Sequence, residues 1–194
     1  MKYLVRSSLF LLTAVSIVAT AAETAIDVEH STIRIHVGKA GLFSAAGHEH
    51  WVDAPITDGS LQESPPQISF KVDATRMKVE GDPSLSAEKQ AEVQRTMQSQ
   101  VLESDKYAEI TFRSTSIRAT GGNTWEALGD LTLHGQTRPV TAKVEKQQGS
   151  YVGRCQLKQT DFGIRPVRAA GGTVKVKDQL DIEFSIAPAG TNAR

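Results

Sequence analysis

The chain has 194 residues with 22 basic and 22 acidic side chains, a length that fits one domain with its own core. It contains one cysteine, Cys155, which excludes a disulfide bond within the chain. No block of basic residues stands out, and this argues against a nucleic-acid partner.

The N-terminus predicts a signal peptide. Lys2 and Arg6 precede an apolar run over residues 9–19, and the small residues of ATAAETA follow. The run is too short to span a bilayer, and the layout is that of a secretory signal cleaved after Ala21 or Ala22. Loss of the two basic residues leaves 20 against 22 acidic ones, a net charge of −2. We therefore expect an exported protein, periplasmic or secreted.

Most of the remaining sequence alternates between apolar and polar residues, which predicts half-buried β-strands. The pattern is clear in IRIHV at 33–37 and in ISFKV at 68–72. It returns in five later runs, at 109–117, 125–135, 139–146, 151–157 and 173–186. Short turn sequences such as GGN and QQGS separate neighbouring runs, so the strands should be antiparallel. The pattern predicts about eight strands in a barrel or a sandwich and does not choose between them.

One segment breaks the strand period and predicts a helix. Residues from Ser84 to about Glu103 lack Gly and Pro and are rich in Ala, Glu, Gln, Lys and Arg. Ser84 or Ser86 can cap its first turn. Apolar residues form only a thin stripe that could lie over the barrel, namely Val93, Met97 and Val101.

The segment GHEH places two histidines, His48 and His50, two residues apart. On a strand both would point to the same face, where they could bind one metal ion. A zinc or copper site needs a third or fourth ligand. The candidates by residue type are His30, His36, Glu49 and His134, and the sequence does not show which of them lie near the pair. The alternative is that both imidazoles line the mouth of the barrel and contact the polar head of a ligand. Both interpretations remain open at this point.

Other reactive side chains lack the partners that catalysis needs. Cys155 has no neighbouring histidine in GRCQL and is interpreted as a small buried hydrophobe. His134 either contacts a ligand head group or caps the turn before Gly135. Phe162, in TDFGI, is expected to plug the barrel. No phosphate loop, nucleophile elbow or paired catalytic carboxylates are identifiable, so we expect no enzyme.

Five motifs in order carry a family resemblance: DVEHSTIRIHV, GLFSAAGH, VLESDKYAEITFRSTSI, GDLTLHGQTRPV and TDFGI. Together they resemble the YceI family of lipid- and polyisoprenoid-binding proteins over residues 25–187. The GHEH segment is similar to a branch with a Gly-His-acidic-His sequence. The resemblance implies an all-β fold, an antiparallel lipocalin-like eight-stranded barrel with one inserted α-helix, and an isoprenoid chain held inside it. It also implies a periplasmic or secreted, stress-induced protein.

The expected ligand is an isoprenoid lipid or quinone, and no other cofactor is expected. The polar mouth is assigned to His48, His50 and His134. The apolar channel is assigned to inward-facing strand residues and the plug, namely Ile68, Phe70, Phe112, Leu131, Leu133, Phe162, Ile182 and Phe184.

The resulting domain prediction is a signal peptide over 1–22, a barrel over 23–188 and a short tail over 189–194. The predicted function is a non-enzymatic lipid carrier. The alternative is a metal-binding or redox accessory protein that uses His48 and His50, and a purely structural envelope protein is a third option. A transient membrane contact and a homodimer are compatible with the sequence, which favours neither.

Overall fold

The computed structural model describes residues 22–40, 49–169 and 174–190. Within these ranges, eight long antiparallel strands form a ring that closes where β11 pairs with β1, which confirms the predicted barrel. In ring order the strands are β1 (Thr24–Ala40), β3 (Ile56–Glu63), β4 (Pro66–Asp73), β6 (Glu109–Gly121), β7 (Thr124–Leu133), β8 (Gln136–Gln147), β9 (Ser150–Lys158) and β11 (Val174–Pro188).

Three short strands extend this ring at one end. The strand β2 (His50–Asp53) pairs with the second half of β1, and β5 (Lys78–Val79) pairs with β2. The strand β10 (Arg168–Ala169) pairs with the beginning of β11. All three therefore build up the same rim of the barrel.

The strand β3 escaped the sequence analysis because its inward face is not uniformly apolar. After a bulge near Ile56, its inner positions carry Gly59, Leu61 and Glu63. A Cβ at Gly59 would lie 2.7 Å from both the Cδ1 atom of Ile26 and the Ser69 carbonyl oxygen, so there is no room for a side chain here. The glycine and the glutamate hide the alternation on which strand prediction depends.

The barrel has two different ends. The hairpin end is formed by the turns that follow Glu63, Gly121 and Gln147. At the opposite end, the chain leaves β4, forms helix α1 (Ala87–Thr96) and a π-helical turn (Met97–Val101), and returns into β6. We call this the helix end. The predicted helix is confirmed, with Ser86 as its N-cap, because the Ser86 hydroxyl accepts a hydrogen bond from the Lys89 N–H at 3.4 Å.

The packed core lies mainly towards the helix end. Phe162, 1% exposed, belongs to a cluster with Ile164, Leu133 and Leu157, which come from the last residues of β7 and β9 and the segment after β9. Gln159–Phe162 form a 3-10 turn that Gly163 ends in a left-handed conformation with φ of 74°. This turn brings Phe162 into the core.

Some predictions fall on residues outside the described ranges. These are the signal peptide up to residue 21, His48, and the end of the tail at 191–194. Among the helices of the described residues, none is long and apolar enough to cross a membrane.

Candidate functional site

The barrel is hollow. A cavity of about 1230 Å³ runs through it, with walls from all eight long strands and from the segment that carries α1. On β9 the wall includes both Tyr151 near the hairpin end and Leu157 near the helix end. Six strand residues at about 3.4 Å each make this distance roughly 20 Å. The space is therefore an elongated channel that follows the barrel axis.

Most of the residues assigned to an apolar channel lie on this wall. Alternation with period two placed them on the inner face, and the barrel brings these faces together around one space. The seven that line the cavity are Ile68, Phe70, Phe112, Leu131, Leu133, Ile182 and Phe184.

Glycines on neighbouring strands keep the channel open beside its phenylalanines. A Cβ at Gly153 would lie 2.5 Å from the Phe184 ring, and a Cβ at Gly129 would overlap the Phe112 ring. A side chain at either position would therefore displace the ring, and it would also collide with the backbone oxygen of Lys143 or of Arg113. Because the glycines leave this room, large apolar residues cover the wall without filling the space. The three pairs are Phe70 against Gly59, Phe112 against Gly129, and Phe184 against Gly153.

Phe162 is not among the residues that line the cavity. The period that places strand residues no longer holds in the 3-10 turn after β9, and the turn buries Phe162 in the packed core instead. Its carbonyl oxygen lies 3.3 Å from His134 Nδ1. The sequence assignment of Phe162 to the channel wall is therefore corrected: it is a packing residue beside the channel.

His134 is also placed away from the channel mouth. It occupies the two-residue turn between β7 and β8, where His134 and Gly135 have φ values of 52° and 70°. This turn geometry directs the imidazole towards Glu103 and Tyr107. Its Nε2 atom lies 2.6 Å from a Glu103 carboxylate oxygen, and the ring centroids of His134 and Tyr107 are 4.4 Å apart. His134 thus joins the turn to the segment after the helix.

Of the two histidines in GHEH, the structure describes only His50. It begins β2 opposite Val37 of β1, and both residues line the cavity at the helix end. His36 lies on the outer face, 3.3 Å from Glu49 and against Trp51. Among the described residues, no group of three or more His, Cys, Asp or Glu side chains could hold a metal ion.

A polar bridge crosses the channel at the hairpin end. The Tyr151 hydroxyl donates a hydrogen bond of 2.6 Å to Glu63 Oε1, and the Lys146 ammonium donates one of 3.0 Å to the same oxygen. Glu63 ends β3, whereas Lys146 belongs to β8, which stands on the opposite side of the eight-strand ring. The bridge therefore spans the mouth of the channel.

The contacts within the bridge shift the pKa values of its three ionisable side chains. The Tyr151 hydrogen bond and then the Lys146 ammonium lower the pKa of Glu63. The hydrogen bond to Glu63 raises the pKa of Lys146, and burial raises the pKa of the Tyr151 hydroxyl. At neutral pH the carboxylate and the ammonium compensate each other, so this mouth carries no net charge from the bridge.

At the helix end, the apolar stripe of the helical segment faces the channel. Val93, Met97 and Val101 line it, as the sequence indicated. No residue of α1 is fully buried, because these side chains border open space. The helical segment thus covers the helix end of the channel, and its inner side borders the cavity instead of packed side chains.

Glutamine side chains fasten the helical segment to the preceding chain. The Gln94 amide accepts a hydrogen bond from the Val79 N–H at 2.8 Å and donates one to the Met77 carbonyl at 2.9 Å. Gln90 bonds to the Leu85 carbonyl and Gln98 to the Thr75 carbonyl. This row was not predicted, although the spacing of four residues places all three glutamines on one helix face.

The one thiol of the chain also faces the channel. Cys155 lies on the wall, and burial raises its pKa to about 11. A thiol with this pKa holds almost no thiolate at neutral pH, so it is a poor nucleophile. The sequence predicted a small buried hydrophobe; the structure instead places Cys155 partly buried on the channel wall.

Comparisons with known proteins agree on one family. A UPF0312 protein of Vibrio cholerae is 27% identical over 164 residues, which cover 78% of this chain and 82% of the relative. A UPF0312 protein of Vibrio parahaemolyticus is 26% identical over 194 residues, which cover 94% of this chain and 97% of the relative.

Solved structures share the fold at low sequence identity. BcnA of Burkholderia cenocepacia matches with a TM-score of 0.56 and 15% identity, over 83% of this chain and 98% of its own. A polyisoprenoid binding domain of Saccharophagus degradans matches with a TM-score of 0.55 and 12% identity, over 86% and 97%. The model of the YceI-like domain matches residues 25–187, the whole ring from β1 to β11. The chain therefore belongs to the YceI-like domain family.

Proposed function

We propose that this protein is an exported, non-catalytic carrier that holds one isoprenoid lipid or quinone inside its barrel. The observation that carries the proposal is the channel, which is elongated and lined mostly by apolar side chains. An elongated apolar tube fits a prenyl chain better than a compact polar metabolite. The family membership and the fold shared with a polyisoprenoid binding domain support the same class of ligand.

Burial of the prenyl chain supplies the affinity. Each buried CH₂ group contributes about 0.8 kcal/mol, so a five-carbon isoprene unit contributes on the order of 4 kcal/mol before the costs of binding are subtracted. A few units therefore suffice for micromolar binding or tighter. No dense set of hydrogen bonds is needed inside the channel.

The polar groups of the channel favour binding over catalysis. The Glu63 carboxylate is engaged by Tyr151 and Lys146, and the raised pKa of Cys155 removes its nucleophilic form at neutral pH. Glu63 is thus hydrogen-bonded to two side chains, and Cys155 remains a neutral thiol. A general base or a nucleophile would instead need a pKa near the working pH.

Mass spectrometry under native conditions tests this proposal with a matched pair of variants. Ala127 faces its register partner Ala142 across β7 and β8, and both line the channel. The next residue, Leu128, points outward and is 40% exposed. We expect Ala127→Trp to fill the channel and Leu128→Trp to leave it open.

Wild-type protein and Leu128→Trp, purified from the host without added lipid, should carry an extra mass that leaves on denaturation. Ala127→Trp should lose most of it, and Ala127→Leu should show an intermediate loss if the tryptophan variant folds poorly. Solvent extraction then identifies the lipid. An empty wild-type protein, or equal loading of the 127 and 128 variants, would contradict the proposal. An adduct of one metal ion without lipid would support the metal-binding alternative.

A further inference from the structure

We infer that the rim formed by β1, β10 and β11 at the helix end is a docking surface for anionic lipid membranes. This inference rests on the proposed function, because it names the surface from which a lipid carrier would exchange its ligand. The inference itself depends on the charges and the position of this rim and not on the contents of the channel.

Cations from neighbouring strands meet at this rim. Arg168 on β10 is the register partner of Lys175 on β11, and Lys177 follows two residues later. Arg165 precedes β10 along the chain. Arg165, Arg168, Lys175 and Lys177 are exposed. We call these four residues the cationic rim.

The cationic rim lacks acidic partners in the described part of the chain. No Asp or Glu occurs in 164–169 or 174–177, and none of the four cations forms an ion pair with a described carboxylate. The first acid that follows, Asp178, bonds to the Thr160 N–H and hydroxyl at 2.9 and 2.7 Å. On a molecule with equal numbers of acids and bases, this local excess of positive charge needs an explanation.

The cationic rim lies beside the opening of the channel, where a membrane would exchange lipid with the protein. Arg168, Val167 and Val176 also border the channel, so the rim is part of the channel's own margin at the helix end. At the other end, the mouth is crossed by the bridge between Glu63, Lys146 and Tyr151. A lipid that leaves a membrane for the channel thus meets a bridge without net charge at one end, and a margin that is cationic along β10 and β11 at the other.

Electrostatics determines the size and the signature of the effect. Each Lys or Arg held near an anionic lipid surface strengthens partitioning by about five-fold. The attraction acts within a Debye length, about 10 Å at 0.1 M salt, so it should weaken steeply as salt is added. The rim should therefore bind anionic vesicles at low salt and ignore neutral ones.

Co-sedimentation of the mature protein with vesicles tests the inference. The vesicles are either phosphatidylcholine alone or a mixture of phosphatidylcholine and phosphatidylglycerol. The test variant is Lys175→Gln with Lys177→Gln. The control is Lys143→Gln with Arg154→Gln, which removes the same charge from exposed register partners on β8 and β9, far along the barrel wall.

Wild-type protein should bind only the mixed vesicles, and the test variant should bind them roughly 25-fold more weakly. The control should change binding by no more than about two-fold. Equal losses in both double variants, or equal wild-type binding to neutral vesicles, would overturn the inference.

The lipid content of the same preparations separates this inference from the proposed function. Vesicle binding that depends on the cationic rim, in a protein that never carries lipid, would support the docking surface and contradict the proposed carrier function. A lipid-loaded protein whose vesicle binding is the same with and without Lys175 and Lys177 would support the carrier function and contradict the docking surface.

Discussion

The two ends of the channel are closed by different means. At the hairpin end, side chains from strands on opposite sides of the ring meet in one charged bridge, and the frame around them is the barrel itself. At the helix end, a whole segment lies over the opening and is attached by glutamine amides along one side. Movement of the helical segment would break these amide contacts but none of the hydrogen bonds of the barrel strands. The helical segment can therefore be displaced without breaking the strand pairing of the barrel.

The largest expected effect concerns the packed part of the helix end. Phe162→Ala should destabilise the protein by about 3–5 kcal/mol, because Phe162 is fully buried and the variant leaves a cavity in solid packing. Phe70→Ala should cost clearly less, since that ring borders a space that is already open. Denaturant titration of both variants measures the difference. Equal losses of unfolding free energy in the two variants would contradict this difference in packing between the channel wall and the core.

A smaller effect is expected in the wall between the two ends. Gly153→Ala should cost about 1–3 kcal/mol, because the added methyl group needs the space of the Phe184 ring and the neighbouring backbone. The displaced ring should also reduce the lipid recovered with the protein. Gly81→Ala is the control, since its nearest neighbour is the movable end of the Gln90 side chain at 3.3 Å. Unchanged stability and loading in the 153 variant would contradict the role assigned to the glycine.

The attachment of the helix can be weakened by itself. Gln94→Ala leaves the Val79 N–H and the Met77 carbonyl without their side-chain partner, at a cost of about 1–2 kcal/mol. Hydrogen exchange over 87–101 should accelerate while exchange in β7 and β8 stays the same. Gln100→Ala, at a channel-facing position of the same segment, should leave exchange unchanged. Acceleration across the entire barrel would show that the helix is not an independent unit.

The smallest effect is expected at the bridge. Glu63→Gln should cost less than about 1 kcal/mol at neutral pH, because exposed ion pairs are screened by solvent. The folded pKa of Glu63 lies below its ordinary value of 4.5, so its contribution is present above pH 4.5 and is lost as pH falls through the lowered pKa. The pKa of Lys146 lies above 10.5, so its contribution is lost only as pH rises through that raised value.

Stability measured against pH checks this sign. Wild type should lose its advantage over Glu63→Gln as pH falls below 4.5. An advantage of wild type that persists after the carboxyl is protonated would contradict the assigned cause.

The strand period identified the wall of the channel because a barrel turns one face of every strand inward. It placed Ile68, Phe112 and Ile182 correctly on the inner face without any knowledge of the ring order. It does not extend to His134 and Phe162, which lie just beyond strand ends, where turn geometry replaces the period. Of the two interpretations of His134, the structure supports the turn residue before Gly135. A residue at such a position needs the backbone before its direction can be known.

The hairpin-end bridge could not be found from sequence patterns. Glu63 lies 83 residues before Lys146 and 88 before Tyr151, so no local spacing connects them. The only shared sign is that all three residues lie near a predicted or observed turn. The glutamine row was within reach, because Gln90, Gln94 and Gln98 repeat every four residues, but polar residues on a helix are ordinarily assigned to solvent.

The ring closes through β1 and β11, and this has a consequence for folding. The Ser31 hydroxyl accepts a hydrogen bond from the Ala187 N–H across 156 residues of intervening chain. Neighbouring hairpins can form early, since their strands are adjacent in sequence, but the final seam must wait for a long loop to close. Until then both seam strands present unpaired edges to any other chain nearby. We therefore expect slow folding, with aggregation-prone intermediates that protection of these two edges would suppress.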